Sequence, residues 1–529
     1  MSVKERVIMA YHTTPSLLLV LPAALLFYQI TPAKWRSYTL LIFSYLFFWS
    51  FSEKLIIYLI GTTFLTHHIC IWMDTMDKRE KRKKRVFQLG ILLLLGTILC
   101  LKYRNFFFGN VSKLAMVLHI DWSYQDQLIF LPIGISFYTL SAIGYMADVY
   151  WGKVKAEYSL VKTALFLGFF PVIVEGPICR WEDVEGTLFK NESVKAENVF
   201  KGCYRIIWGL FKKMIIADRL AVLVDKVYVG YESYSGAVIV AAAISYTIQL
   251  YMEFSGCMDM VIGSAGLFGI RLPENFSQPF FAKTCTDFWK RWHITLGVWF
   301  KNYIFYPVSI SKTARKWNKF TRKHFKGDFG KYVARMGIAA MALFPVWISN
   351  GLWHGPKWNY IFYGLYYFGL IFMGLALEPV RDRILAVLHI NPECMFYKAF
   401  QTVKMLIIIF TGEMFFRGDG FRQGFHMFKS IFQGFTTETF KDGTLLTLGL
   451  DQNDFRIIII GCMIVFFADL IKEYWPKETK MCQKQWICTV EKAFVPGKWV
   501  ICYGLVMAIL IFGAYGEGYQ MIDLIYAGF

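Results

Sequence analysis

Apolar runs close to the length of a bilayer crossing recur along the whole chain, and no other feature restricts the fold as strongly. A helix needs roughly 20 predominantly apolar residues to cross a bilayer. Candidate runs are 16–29, 38–51, 55–73, 86–101, 128–146, 160–174, 237–252, 336–352, 360–377, 403–416, 457–470 and 500–515. They predict an all-α, polytopic integral membrane protein with roughly a dozen hydrophobic helices, some of them short, broken or interfacial. With 56% hydrophobic and only 18% charged residues, no polar stretch is long enough to build a soluble core of its own. Residues 1–529 are therefore read as one integral membrane domain, its first apolar run a retained helix because no small-x-small cleavage site follows it.

A formal net charge of +19 raises the question of nucleic acid, but the basic residues crowd beside apolar segments. The densest clusters are "KREKRKKR" at 78–85 and "SKTARKWNKFTRKHFK" at 311–326. Positive loops next to membrane helices face the cytoplasm, so no nucleic-acid partner is expected and membrane lipids are. The third helix then runs inward and the amino terminus lies outside, against which Lys4 and Arg6 argue mildly. Eleven cysteines occur without a C-x-x-C pair, several of them, Cys100, Cys257 and Cys462, inside apolar runs. They read as buried free thiols, with no metal or disulfide chemistry. No internal repeat is evident, which argues against a transporter built on inverted repeats.

The stretch from about 131 to 300 departs from plain hydrophobicity. "LPIGISFYTLSAIGYMADVY", "FFPVIVEGPICRW" and "YMEFSGCMDMVIGSAGLFGIRLPENF" interrupt apolar sequence with Pro132, Gly134, Pro171, Gly176 and Pro177. Asp148, Glu175, Glu253 and Asp259 enter or adjoin membrane-depth sequence, where an ionisable group is costly unless paired or facing water. Two readings follow: a polar central cavity lined by broken helices, or carboxylates paired with bases such as Arg180 and Arg271 to hold helices in register.

Two histidines stand out. In "TDFWKRWHITLGVWFKNYIFYP" (286–307), Phe288, Trp289, Trp292, Leu296, Trp299 and Phe300 fall on one helical face, opposite Asp287, Lys290, Arg291, Lys301 and Asn302. That pattern predicts an interfacial helix with His293 at the rim of its aromatic face, either satisfying a backbone carbonyl or pointing into a cavity that the helix covers. In "SNGLWHGPKWNY" (349–360), His354 ends an apolar run, flanked by Gly351 and Gly355 and expected to stack between Trp353 and Trp358. Glycines on both sides would let a substrate approach the ring closely from a water-accessible side.

The strings "LPIGISFYTLSAIGYMADVYWG", "FFPVIVEGPICRW", "LYMEFSGCMDMVIGSAGLFGIRLPENFSQPF", "TDFWKRWHITLGVWFKNYIFYP" and "SNGLWHGPKWNYIFYGLYYFG" resemble, in order, the motifs of the membrane-bound O-acyltransferases. They span about 131–370, and weaker likeness continues through "GEMFFRG" at 412–418 and the terminal "YQMIDLIYAGF". The branch resembled is the bacterial one of alginate O-acetylation and teichoic-acid D-alanyl transfer. The resemblance implies that His354 occupies the position of the family's catalytic histidine and that His293 matches the histidine of its "RWH" motif. Near the position of Tyr367 many relatives carry a further histidine that this chain lacks, so no third imidazole is assigned.

The resemblance further implies a multi-pass enzyme of the bacterial plasma membrane that moves an acyl group, acetyl above all, from a cytoplasmic thioester towards a hydroxyl of an exported polysaccharide. The donor, acetyl-CoA or an acyl carrier protein, is a co-substrate, and no permanently bound cofactor or metal is implied. A separate extracytoplasmic acyltransferase completes transfer in related systems. An acyl thioester is already activated, so the enzyme's main task is to deprotonate the acceptor. A histidine suits this because its ordinary pKa of about 6.5 lies near working pH. His354 is the expected general base, and His293 is expected to hold donor or acceptor or to polarise the thioester carbonyl. The alternatives are D-alanyl transfer from a carrier protein to teichoic acid and, from another class, a glycan or lipid transporter that does no acyl chemistry.

Overall fold

The computed structural model describes residues 16–77, 81–474 and 495–515. The amino terminus, residues 78–80 of the first basic cluster and the carboxy-terminal "YQMIDLIYAGF" lie outside the described residues. Within them the regular elements are helical, and a single antiparallel bridge, Phe276 with Trp292, is the β pairing among them.

The amino-terminal part comprises α1 (Leu21–Ile30), α2 (Arg36–Ser52), α3 (Ile56–Asp74), α4 (Lys81–Ile98) and α5 (Arg104–Val117), the last two joined through a π turn at Leu99–Tyr103. Next come α6 (Ile135–Trp151), α7 (Leu160–Gly168) and α8 (Trp181–Leu188). Then α9 (Ala196–Leu210) continues through a seven-residue π segment, Phe211–Ala217, into α10 (Asp218–Val229), which packs with α11 (Gly236–Leu267). Three short helices follow, α12 (Cys285–Arg291), α13 (Ile294–Phe300) and α14 (Tyr306–Ser309), and then α15 (Lys312–His324), α16 (Gly327–His354), α17 (Trp358–Ala376) and α18 (Glu378–Val387). The described chain closes with α19 (Met395–Arg417), α20 (Phe421–Gln433), α21 (Gln452–Tyr474) and α22 (Val495–Phe512).

Among the described residues six helical stretches, 33–74, 81–117, 236–267, 327–354, 358–376 and 395–417, are long and apolar enough to cross a membrane, and Leu21–Ile30 and Gly497–Phe512 are shorter apolar helices. Two expected runs are trimmed. The run at 128–146 is irregular until α6 starts at Ile135, and that at 160–174 stays helical only to Gly168 before turning through Phe169–Glu175. One long helical stretch, α9 through α10, is absent from the apolar runs because Lys212, Lys213, Asp218 and Arg219 interrupt it. It is nevertheless deeply packed. A side chain at Gly209 would meet the carbonyl oxygen of Gly256 at 2.4 Å, so α9 and α11 approach backbone to backbone.

The charges in that stretch are accommodated by pairing. Lys212 meets Asp259 at 2.6 Å, and Lys213 meets Asp218 at 2.9 Å and Glu253 at 3.6 Å. Arg205 meets Asp259 at 2.9 Å. The polar centre predicted between the broken helices is thus occupied by ion pairs, with partners other than those anticipated. Arg180 pairs with Asp183 and Glu182 on its own helix instead.

Candidate functional site

His354 is the last residue of α16, and only 4% of it is exposed. The helix stops there because Gly355 takes φ 158° and ψ 171°, a region open essentially to glycine alone. Rings of Trp353 and Phe416 stand edge-on to the imidazole at 4.9 Å, with Tyr363 at 6.1 Å and Tyr360 at 6.2 Å. Asn359 holds Phe416 in place by donating to the carbonyls of Phe416 and Gly418, each at 2.9 Å.

Three details differ from the local reading of the sequence. Trp358 does not stack on His354: it is 56% exposed and donates its indole N–H to Asn110. The clearance at Gly351 serves helix packing and not a substrate, since a Cβ there would meet the carbonyl oxygen of Tyr360 at 2.4 Å. The ring is enclosed by aromatic side chains from α16, α17 and α19, so its expected open, water-facing flank is absent.

His293 lies in a break, not on a continuous interfacial helix. Trp292 is extended, His293 takes φ 48° and ψ 52°, and α12 and α13 are separate short helices. The break is imposed from the preceding loop. Asn275 accepts the Ile294 N–H on its carbonyl at 3.0 Å, and Ser277 N–H donates to the Arg291 carbonyl at 2.9 Å. With the backbone pinned this way, Phe288, Trp292, Leu296, Trp299 and Phe300 all become buried, and Arg291 is tied to Asp287 and to Glu473 of α21.

Asn275 also decides the state of His293. Its Oδ1 accepts the Thr295 backbone N–H at 3.1 Å, which fixes the amide orientation, and it faces His293 Nδ1 at 3.2 Å. Nδ1 must therefore carry the proton and donate to Asn275, and Nε2 carries the lone pair. Burial pushes the His293 pKa down to about 3, so the ring is neutral. The backbone-carbonyl partner weighed for His293 is thus replaced by a side-chain amide.

The two histidines meet through one residue. The Trp353 indole stands edge-on to both, 5.3 Å from His293 and 4.9 Å from His354, while Phe254 of α11 closes the far side of His293 at 4.9 Å. Three residues here are not signalled by the sequence alone. Asn275 was inside a quoted motif but carried no charge to attract notice. Glu413, in "GEMFFRG", is buried and accepts the Tyr363 hydroxyl at 2.7 Å, which fixes a ring lying against His354. Lys102 closes an apolar run, where a lysine reads as a helix end, yet it is buried and donates to the Trp353 carbonyl at 2.9 Å.

Asp148 and Glu175, singled out from sequence, meet other partners. Asp148 accepts the Tyr303 hydroxyl at 2.6 Å and meets Lys153 at 3.3 Å. Glu175 accepts from the Cys257 thiol at 3.7 Å, and burial, with the charge of Glu253 adding to it, pushes its pKa up to about 8.

Residues 153–323 match the family model described as MBOAT, membrane-bound O-acyltransferase family. A protein of Pseudomonas putida named "Probable alginate O-acetylase AlgI" is 30% identical over 427 residues, covering 80% of each chain. A peptidoglycan O-acetyltransferase of Helicobacter pylori is 28% identical over 64% of each chain. A teichoic acid D-alanyltransferase of Bacillus subtilis is 29% identical over 44% of this chain and 56% of its own.

Proposed function

The chain belongs to the membrane-bound O-acyltransferase family, and from that premise we propose that it transfers an acetyl group from a cytoplasmic thioester to a hydroxyl of an exported polysaccharide, with His354 as general base. The observation that carries this reading is the pairing of two buried histidines across the single indole of Trp353. Structural histidines have no reason to converge from a helix end and a helix break. A base and a group that orients its substrate do.

The chemistry follows from the ring states. His354 withdraws the proton of the acceptor hydroxyl as the oxygen adds to the thioester carbonyl, and it returns that proton to the departing thiolate. Proton transfer of this kind supplies about 10²- to 10⁴-fold in rate. His293, neutral and with its lone pair on Nε2, accepts a hydrogen bond from a neighbouring hydroxyl of the acceptor sugar and so orients it, leaving the single proton of the reacting hydroxyl to His354. It cannot at the same time polarise the thioester carbonyl, which needs a donor. The aromatic enclosure of both rings keeps water from hydrolysing the thioester.

The acetyl reading is favoured over D-alanyl transfer because likeness to the alginate-type relative extends over 80% of the chain, against 44% for the D-alanyltransferase. The donor is acetyl-CoA or an acetyl carrier protein, and a separate extracytoplasmic acyltransferase accepts the group or assists its delivery. The test is purified protein in liposomes, with radiolabelled acetyl-CoA or acetyl carrier protein on one face and a hydroxyl-rich oligosaccharide on the other. Thiol release coupled to labelled oligosaccharide supports the proposal. Transfer from a D-alanyl carrier alone favours the second reading, and oligosaccharide passage without thiol release would make the protein a transporter.

A further inference from the structure

A buried cation stands beside the histidine pair, unused in the chemistry above. Between α4 and α5 the helix loosens into the π turn Leu99–Tyr103, the kind of local insertion that is frequent at functional sites. It turns two consecutive side chains onto the end of α16. Lys102, 6% exposed, donates from Nζ to the Trp353 carbonyl at 2.9 Å and to Ser136 Oγ at 3.4 Å. Tyr103 donates its hydroxyl to the Leu352 carbonyl. These are carbonyls of a last helical turn, at the negative end of the helix dipole, and that of Leu352 also accepts the Gly355 backbone N–H at 3.2 Å.

Capping alone does not require a charge, since Tyr103 does it with a hydroxyl. Burying an ammonium is costly unless an anion compensates it. Lys212, Lys213 and Arg219, equally buried, each meet a carboxylate. Among the described residues no carboxylate forms an ion pair with Lys102, and the carbonyl it holds belongs to Trp353, the residue next to His354. An ammonium has three N–H groups, and Trp353 and Ser136 account for two. A cation so placed, next to a base and short of a counter-ion, fits negative charge that arrives with the reaction.

We propose that Lys102 is the electrophilic residue of the site and stabilises the oxyanion formed on the donor's thioester carbonyl. This rests on the reading of His354 as base. In the step assigned, the acceptor oxygen bonds to the carbonyl carbon while its proton passes to His354. The C=O π pair moves onto oxygen and is held by the Lys102 ammonium, which keeps its protons. As the carbonyl re-forms, the C–S bond breaks and the thiolate takes the proton from His354, leaving ester, thiol and unchanged enzyme. Lys102 thereby supplies the donor that His293, with its lone pair on Nε2, cannot.

The test compares full-length parent, Lys102→Gln, Lys102→Met, Lys102→Arg and His354→Gln in liposomes, with acetyl-CoA and an S-acetyl carrier protein as donors and thiol release as readout. Lys102→Gln matters most, because it can still donate to the Trp353 carbonyl but has no charge. Removing one oxyanion donor lowers kcat by about 10²- to 10³-fold, and the expected result is that loss in Lys102→Gln and Lys102→Met, little change in donor KM, and recovery in Lys102→Arg. Parent-like kcat in Lys102→Gln overturns the proposal and leaves a cap. So does an effect confined to KM, which would assign the charge to an anion of the bound donor, or a folded Lys102→Arg as impaired as Lys102→Gln. Should Lys102→Met fail to fold, Lys102→Gln decides alone. Turnover lost in His354→Gln but kept in Lys102→Gln sinks only the role of Lys102, whereas turnover kept in His354→Gln sinks the function on which that role depends.

Discussion

At the scale of single residues the site depends on which nitrogen of His293 holds the proton. Asn275 makes that choice with one carbonyl oxygen, which also accepts from the backbone and hydroxyl of Thr295. His293→Ala removes the group proposed to orient the acceptor and is expected to lower acyl transfer strongly without abolishing it. Asn275→Ala leaves the imidazole in place but releases it, and a displacement of about 1 Å at such a group can cost about 10²-fold in rate. If Asn275 acts through His293, the double variant loses little more than His293→Ala alone, since groups that act as one unit are not additive. Rates of the four proteins, normalised to folded material, measure this, and additive losses would show that Asn275 serves the fold and not the ring.

At the scale of elements the position of His354 is set by how closely α17 lies on α16. A Cβ at Gly364 would stand 2.2 Å from the Trp347 carbonyl oxygen, and one at Gly351 2.4 Å from that of Tyr360. Alanine in place of glycine ordinarily favours a helix by up to about 1 kcal/mol. Gly364→Ala is nevertheless expected to destabilise by about 1–3 kcal/mol, because overpacking forces the backbones apart. It should also depress transfer by moving the end of α16. A rise in thermal midpoint of the detergent-solubilised variant would contradict that packing. Much at this scale was legible in the sequence, since most long apolar runs are helices and the strings around His293 and His354 meet in space. The features that escaped depend on residues far away in the chain. The α9–α10 stretch is hidden by lysines whose partners include Asp259 and Glu253 of α11, the break at His293 is dictated by Asn275, and Lys102 finds its partner in a carbonyl 251 positions later.

At the scale of the whole molecule, the architecture is multi-pass, with six stretches among the described residues long and apolar enough to cross a membrane. Both basic clusters are expected on the cytoplasmic side, the second of them folded as the exposed amphipathic helix α15 against α16. In an otherwise cysteine-free protein, Arg82→Cys should resist an impermeant maleimide in intact cells and react after permeabilisation, whereas labelling in intact cells would invert the topology. The central claim is that this membrane protein performs acyl chemistry with His354 as base, and His354→Gln tests it most directly. Glutamine keeps a polar side chain of similar bulk but cannot take up a proton near neutral pH. The measurement is thioester turnover and acyl transfer by purified, monodisperse His354→Gln in liposomes beside the parent. The account predicts a fall of about 10²- to 10⁴-fold with folding retained, and parent-like turnover by the folded variant would contradict it.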